Sequence, residues 1–158
     1  MSSSDHQQSG IFAAVTGAIS TAELAKYNVE WMSWKERGEG GRNALHVLCC
    51  NMFVTAQNLA SVEEGLRLSG AANEADAEGR LPLHDACSNP SASPALVDFV
   101  YRLNPAALTS SSSSTGETPL HEACGLVAEV PVLAMLLKLE ARAIQARDQR
   151  QRTPAHSL

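Results

Sequence analysis

One phrase occurs four times along the chain, and its spacing constrains the fold more than any other feature. It reads Gly41-Arg42-Asn43-Ala44-Leu45-His46, then Gly79-Arg80-Leu81-Pro82-Leu83-His84, then Gly116-Glu117-Thr118-Pro119-Leu120-His121, and last Gln151-Arg152-Thr153-Pro154-Ala155-His156. The histidines stand 38, 37 and 35 residues apart. Self-similarity at such a period means stacked small units, each covering its neighbour's apolar face, rather than one closed core. A stack makes a long surface and no natural cleft, which favours recognition over catalysis.

Each phrase has the chemistry of a helix start. Thr118-Pro119 and Thr153-Pro154 place a hydroxyl at the N-cap and proline at the first helical position, where its missing N–H costs nothing. Gly79 and Gly116 precede their prolines by three residues, in turns that call for positive φ. Asp85 and Glu122 fall in the first turn, where the helix dipole favours negative charge. A second helix follows in each unit. Ser93-Pro94 opens one with the stripe Leu96, Val97, Val100 and Leu103. Pro131 precedes another with Val132, Leu133, Leu136 and Leu137. Ser61 with Glu64 reads as the capping box of a third, ahead of Leu66. At 44% hydrophobic but only 4% aromatic, the core must be built from Ala, Leu and Val, which suits closely packed helices.

The unit resembles the ankyrin repeat, whose signature is T-P-L-H-x-A at about 33 residues per unit. Thr118-Pro119-Leu120-His121-Glu122-Ala123 matches every fixed position, and Pro82-Leu83-His84-Asp85-Ala86 departs only in having Leu81 for Thr. Asn73, Asp76 and Gly79 fall where that family's hairpin carries Asn, Asp and Gly. The first phrase has Asn43-Ala44 for Thr-Pro; the last has Gln151 for Gly and Ala155 for Leu. The resemblance covers about residues 11–158. It implies an all-α ankyrin-repeat solenoid of helix-turn-helix units joined by β-hairpin-like loops. Residues 1–10 would be a disordered tail and 11–37 a degenerate N-terminal cap, with Ile11, Phe12, Ala14 and Val15 in its first helix and Ser20 and Glu23 capping its second. Full repeats would span 38–75, 76–112 and 113–147, and 148–158 would be a truncated repeat, from a longer array or a frayed last unit.

Function classes narrow with composition. A net charge of −5 with only three lysines argues against nucleic acid, which needs clustered Lys and Arg. No apolar run is long enough to cross a bilayer, and the opening residues do not form a signal peptide. The four cysteines, Cys49, Cys50, Cys87 and Cys124, therefore read as reduced thiols in an intracellular protein, cytoplasmic or nuclear. Cys87 and Cys124 read as small core residues, with a redox role as the alternative; Cys49-Cys50 is too constrained for an easy disulfide. No phosphate loop, zincin motif or nucleophile elbow occurs, so no enzyme activity, metal or cofactor is expected. His46, His84, His121 and His156, each but the last followed by a cysteine three residues on, could suggest zinc. Ligands must converge about 2.0–2.3 Å from the ion, however, and helices stacked about 8–10 Å apart keep such histidines separate. The resemblance instead implies structural histidines, bonded within the first turn and to the neighbouring hairpin.

The resemblance further implies a protein-interaction module or scaffold, a monomer binding a protein or peptide through hairpin tips and the concave inner-helix face. The alternative is a passive spacer or a fragment of a larger multidomain regulatory protein. The partner-binding residues carried over are Glu39, Gly40, Arg42, Ala77, Glu78, Arg80, Ser114, Thr115, Glu117, Gln149, Arg150 and Arg152. At the inner-helix ends they are Cys50-Asn51, Ser88-Asn89 and Gly125-Leu126. Their alternating charge suits a protein better than a polyanion. Reversing the charge of Glu78, Arg80, Glu117 and Arg152 should then abolish binding without unfolding. Two segments stay open. The run Thr109–Thr115 reads as a flexible loop tip or as a phosphorylation site. Tyr27, Trp31 and Trp34 either seal the N-terminal end of the stack or form an aromatic anchor.

Overall fold

The computed structural model describes residues 40–50, 56–126 and 130–157. The tail 1–10, the cap 11–37 with its aromatic residues, Glu39 and Asn51 lie outside the described residues. What is described is helical, without a β-strand. The helices are α1 (Ala44–Cys49), α2 (Ala56–Ser69), α3 (Pro82–Ser88), α4 (Pro94–Leu103), α5 (Pro119–Gly125) and α6 (Val130–Leu139), with short 3₁₀ segments at Ala71–Asn73, Pro105–Thr109, Ala141–Gln145 and Pro154–Ser157.

The helices form two rows. The short helices α1, α3 and α5 pack side by side, and the longer α2, α4 and α6 do the same behind them. In the short row Leu45, Leu83 and Leu120 are buried at equivalent positions, with Cys49, Cys87 and Cys124 one turn on. Ala86 and Ala123 are fully buried, which lets the backbones approach. In the long row α4 opens as its residues dictate: Ser93 accepts the Leu96 N–H on its side chain and Pro94 occupies the first turn. Its stripe of Leu96, Val97 and Val100 is buried, joined by Phe99.

Several local expectations need correction. Helix α2 already runs at Ala56, so Ser61 lies within it and cannot cap it. Leu137, expected in a buried stripe, is exposed, while Val132 and Leu136 of the same stripe are buried. Thr118 does occupy the N-cap of α5, yet its hydroxyl bonds the His121 Nδ1 at 2.9 Å rather than a backbone N–H. Asn43 does the true capping, accepting from the N–H groups of Leu45 and His46, both at 3.1 Å.

The units are joined by tight turns. In the first, Asp76 N–H donates to the Arg80 carbonyl at 2.9 Å, and the Asp76 carboxylate accepts from the N–H groups of Glu78 and Arg80. Asp148 repeats this with Arg150 and Arg152. Gly79 has φ +73°, but Gln151 holds the same left-handed position at φ 61°. A side chain there costs about 1 kcal/mol. Gln151→Gly should therefore raise the unfolding free energy by about 0.5–1 kcal/mol, the unfolded chain's added freedom taking back part of the gain. Urea titration would show the midpoint rise; an unchanged midpoint would mean the turn carries no such strain.

Candidate functional site

Each turn docks on the next through its backbone. Ala77 N–H reaches the Gly40 carbonyl at 3.0 Å, Ser113 N–H the Glu78 carbonyl at 3.0 Å, and Gln149 N–H the Thr115 carbonyl at 3.0 Å. The turns thus form one continuous edge. The histidines fix the helices to it. His46, His84 and His121 donate from Nε2 to the carbonyls of Arg80, Glu117 and Arg152 at 3.0, 3.1 and 3.0 Å, each in the following turn. Their Nδ1 atoms accept a backbone N–H within their own unit, from Asn43, Leu81 and Thr118. A neutral ring with its proton on Nε2 satisfies both bonds. Both nitrogens are thus occupied, Nδ1 within the unit and Nε2 across to the next. His156 accepts from Thr153 N–H on Nδ1 and has no such onward bond among the described residues.

Burial lowers the pKa of His46 and His84, the bonds to the Arg80 and Glu117 carbonyls offsetting part of it. Below about pH 6.5 the unfolded chain takes up protons that these rings refuse, so stability is full above 6.5 and falls as pH drops toward the folded values. Between pH 7.5 and 6.0 the two together should cost at most about 1.5 kcal/mol. Urea unfolding at the two pH values measures this, and an equal midpoint at both would contradict neutral burial. Among the described residues no three His, Cys, Asp or Glu side chains are grouped to hold a metal ion. Cys49, Cys87 and Cys124 are buried thiols and Cys50 is exposed. Burial raises the pKa of all four; at Cys50, Arg42 opposes that rise.

Charged residues of the expected contact set converge beside the turns. A hollow of about 610 Å³ brings together Arg42, Cys50, Ala77, Glu78, Arg80 and Ser88, with Asp85 at its wall. Asp85 is only 5% exposed. It pairs with Arg42 at 3.0 Å and with Arg80 at 3.1 Å, and Arg80 continues to Glu122 at 3.3 Å. Burial raises the Glu122 pKa, with Arg80 pulling against it. A second hollow of about 230 Å³ gathers Ser114, Thr115, Glu117, Gln149, Arg150 and Arg152. There Arg152 bridges Glu117 at 3.2 Å and Asp148 at 2.7 Å. Asn89 lines neither hollow; its side chain donates to the Cys49 carbonyl at 2.9 Å, another tie between units. Gly125 and Leu126 are exposed at the end of α5.

The expected contact residues therefore divide. Arg42, Arg80, Glu117 and Arg152 are spent on ion pairs that run between units or within a turn. Ala77, Glu78, Ser114 and Arg150 are exposed, and their side chains hold nothing together among the described residues. Reversing Arg80, Glu117 and Arg152 would break the ion pairs that tie the stack, so the four-residue reversal cannot be a clean test of binding. Sequence reasoning missed Asp85 as the hub of these pairs, assigning it only to the helix dipole. The signal was present: an arginine follows Gly41 and Gly79, and an acid follows His84 and His121. No family model matches the chain, and no curated protein matches it with significance.

Proposed function

We propose that this chain is a protein-interaction module, an ankyrin-type solenoid that binds a protein or peptide along its turn edge and inner-helix face. The reading takes it as a monomer that uses no cofactor and does not bind nucleic acid. The observation that supports it is the division of labour in the turns. Arginine–carboxylate pairs and histidine–carbonyl bonds set the register. Glu78, Ser114 and Arg150, in successive turns, remain exposed. An edge whose spacing is set by other residues can present those three without rearranging, which lowers the cost of binding.

The test changes only unpaired residues. A partner captured by the whole chain is titrated against the wild type and against Glu78→Lys/Arg150→Glu. Binding should weaken about tenfold, or roughly 1.4 kcal/mol, while stability moves by no more than about 0.5 kcal/mol, as surface changes usually do. Undiminished binding would sink the edge reading and leave the array as a spacer.

A further inference from the structure

The hydroxyl run Thr109–Thr115 is not a loose tip. Thr109 and Ser110 donate to the Ala106 carbonyl at 3.3 and 3.1 Å. Ser112, buried, pairs with Thr115 at 2.7 Å, and Thr115 donates on to the Glu117 carboxylate at 3.1 Å. Ser113 donates to the Glu78 carbonyl at 2.8 Å. Only Ser111 and Ser114 are exposed with hydroxyls that bond nothing among the described residues.

Their surroundings differ. Ser114 lines the smaller hollow together with Arg150; Ser111 does not. Both carboxylates in that hollow are already occupied. Asp148 accepts from the Arg150 and Arg152 N–H groups and from the Arg152 guanidinium. Glu117 accepts from Arg152 and Thr115. Arg150, exposed, is the cation of the lining without an ion pair among the described residues.

We propose that Ser114 is a phosphorylation site and that Arg150 holds the phosphate across the junction of the second and third turns. The donor is ATP, the enzyme a protein serine kinase. The Ser114 Oγ bonds to the γ-phosphorus as the bond to the β,γ-bridging oxygen breaks; ADP leaves, and the hydroxyl proton passes to the kinase's base. The product places about −1.5 to −2 charge and three acceptor oxygens beside a guanidinium whose fork matches them. It also turns the middle of the edge from neutral to strongly acidic, between Glu78 and Arg150.

The chain recovered from its native cells, with phosphatases blocked, is cut with trypsin, which releases Leu103–Lys138 as one peptide. Mass spectrometric sequencing should place a phosphate on Ser114. A peptide unmodified, or modified only at another hydroxyl of the run, overturns the site. The holding role is read separately, by ³¹P NMR titration of the whole chain carrying phosphoserine at 114 or at 111. The second ionisation should fall below its ordinary value of about 6 at 114 alone, and Arg150→Gln should return it to the value at 111. Equal values at the two positions would overturn the role of Arg150.

Discussion

Asp85→Ala should lower the unfolding free energy by about 2–4 kcal/mol. The carboxylate is 5% exposed and stands between two guanidiniums, Arg42 and Arg80, from successive units. Removing it leaves two guanidiniums without the carboxylate between them, Arg80 keeping only Glu122 as an ion-pair partner among the described residues, and breaking a largely buried pair in this way costs more than the pair contributes. Arg42 is a third exposed, which holds the loss below the full buried value. The control is Asp98→Ala. Asp98 pairs with Arg102 at 3.1 Å, but both side chains are about half exposed, so its loss should stay under about 0.5 kcal/mol. Urea unfolding of both variants gives the comparison. Equal losses would show that the Asp85 pairs are no more than a surface contact.

Gly79→Ala should cost a similar amount, about 2–4 kcal/mol. Two effects add. The residue is left-handed, at φ +73°, which costs a side chain about 1 kcal/mol. A Cβ there would also lie 2.6 Å from the Ser113 backbone nitrogen, in the seam where one turn docks on the next. Relieving that contact means separating the turns, and such overpacking costs about 1–3 kcal/mol. Gly70 separates the two effects. It has φ +69° but nothing within 4 Å of its would-be Cβ, so Gly70→Ala should cost only the backbone part, about 1 kcal/mol. If the two alanines cost the same, the seam yields and the turns are not tightly docked.

How far the sequence carried the description depends on the range of the interaction. Helix starts were legible wherever the signal is local. Ser93-Pro94 and Thr118-Pro119 fix their own backbone, and Gly79 announces its φ. The start of α2 was not legible, because Ser61 and Glu64 have capping chemistry but lie inside a helix that already runs at Ala56. Local spacing cannot tell a cap from a serine in the interior of a helix. Most of the residues expected to touch a partner do lie in or beside the turns, but the ion pairs that occupy four of them were not legible. Nothing near Arg80 in the chain shows that it answers Glu122, 42 residues on. Composition leaves the hydroxyl run open between a flexible loop tip and a phosphorylation site, because it cannot show that Ser113 reaches the Glu78 carbonyl, 35 residues back.

The histidine tie has a consequence for how such a chain can change. Its donor is a side chain but its acceptor is a main-chain oxygen, supplied by Arg80, Glu117 and Arg152 whatever their side chains. The receiving unit need not have evolved a matching residue. A duplicated copy is joined on the day it arises, provided its turn has the right shape. Each donor reaches forward to the unit after it, so the link also has a sense of direction, like a hook that closes only on the next eye. Growth, loss and reordering of whole units are then neutral as far as this tie is concerned. The arginine–carboxylate pairs, which require a particular residue on both sides, decide which neighbours are preferred.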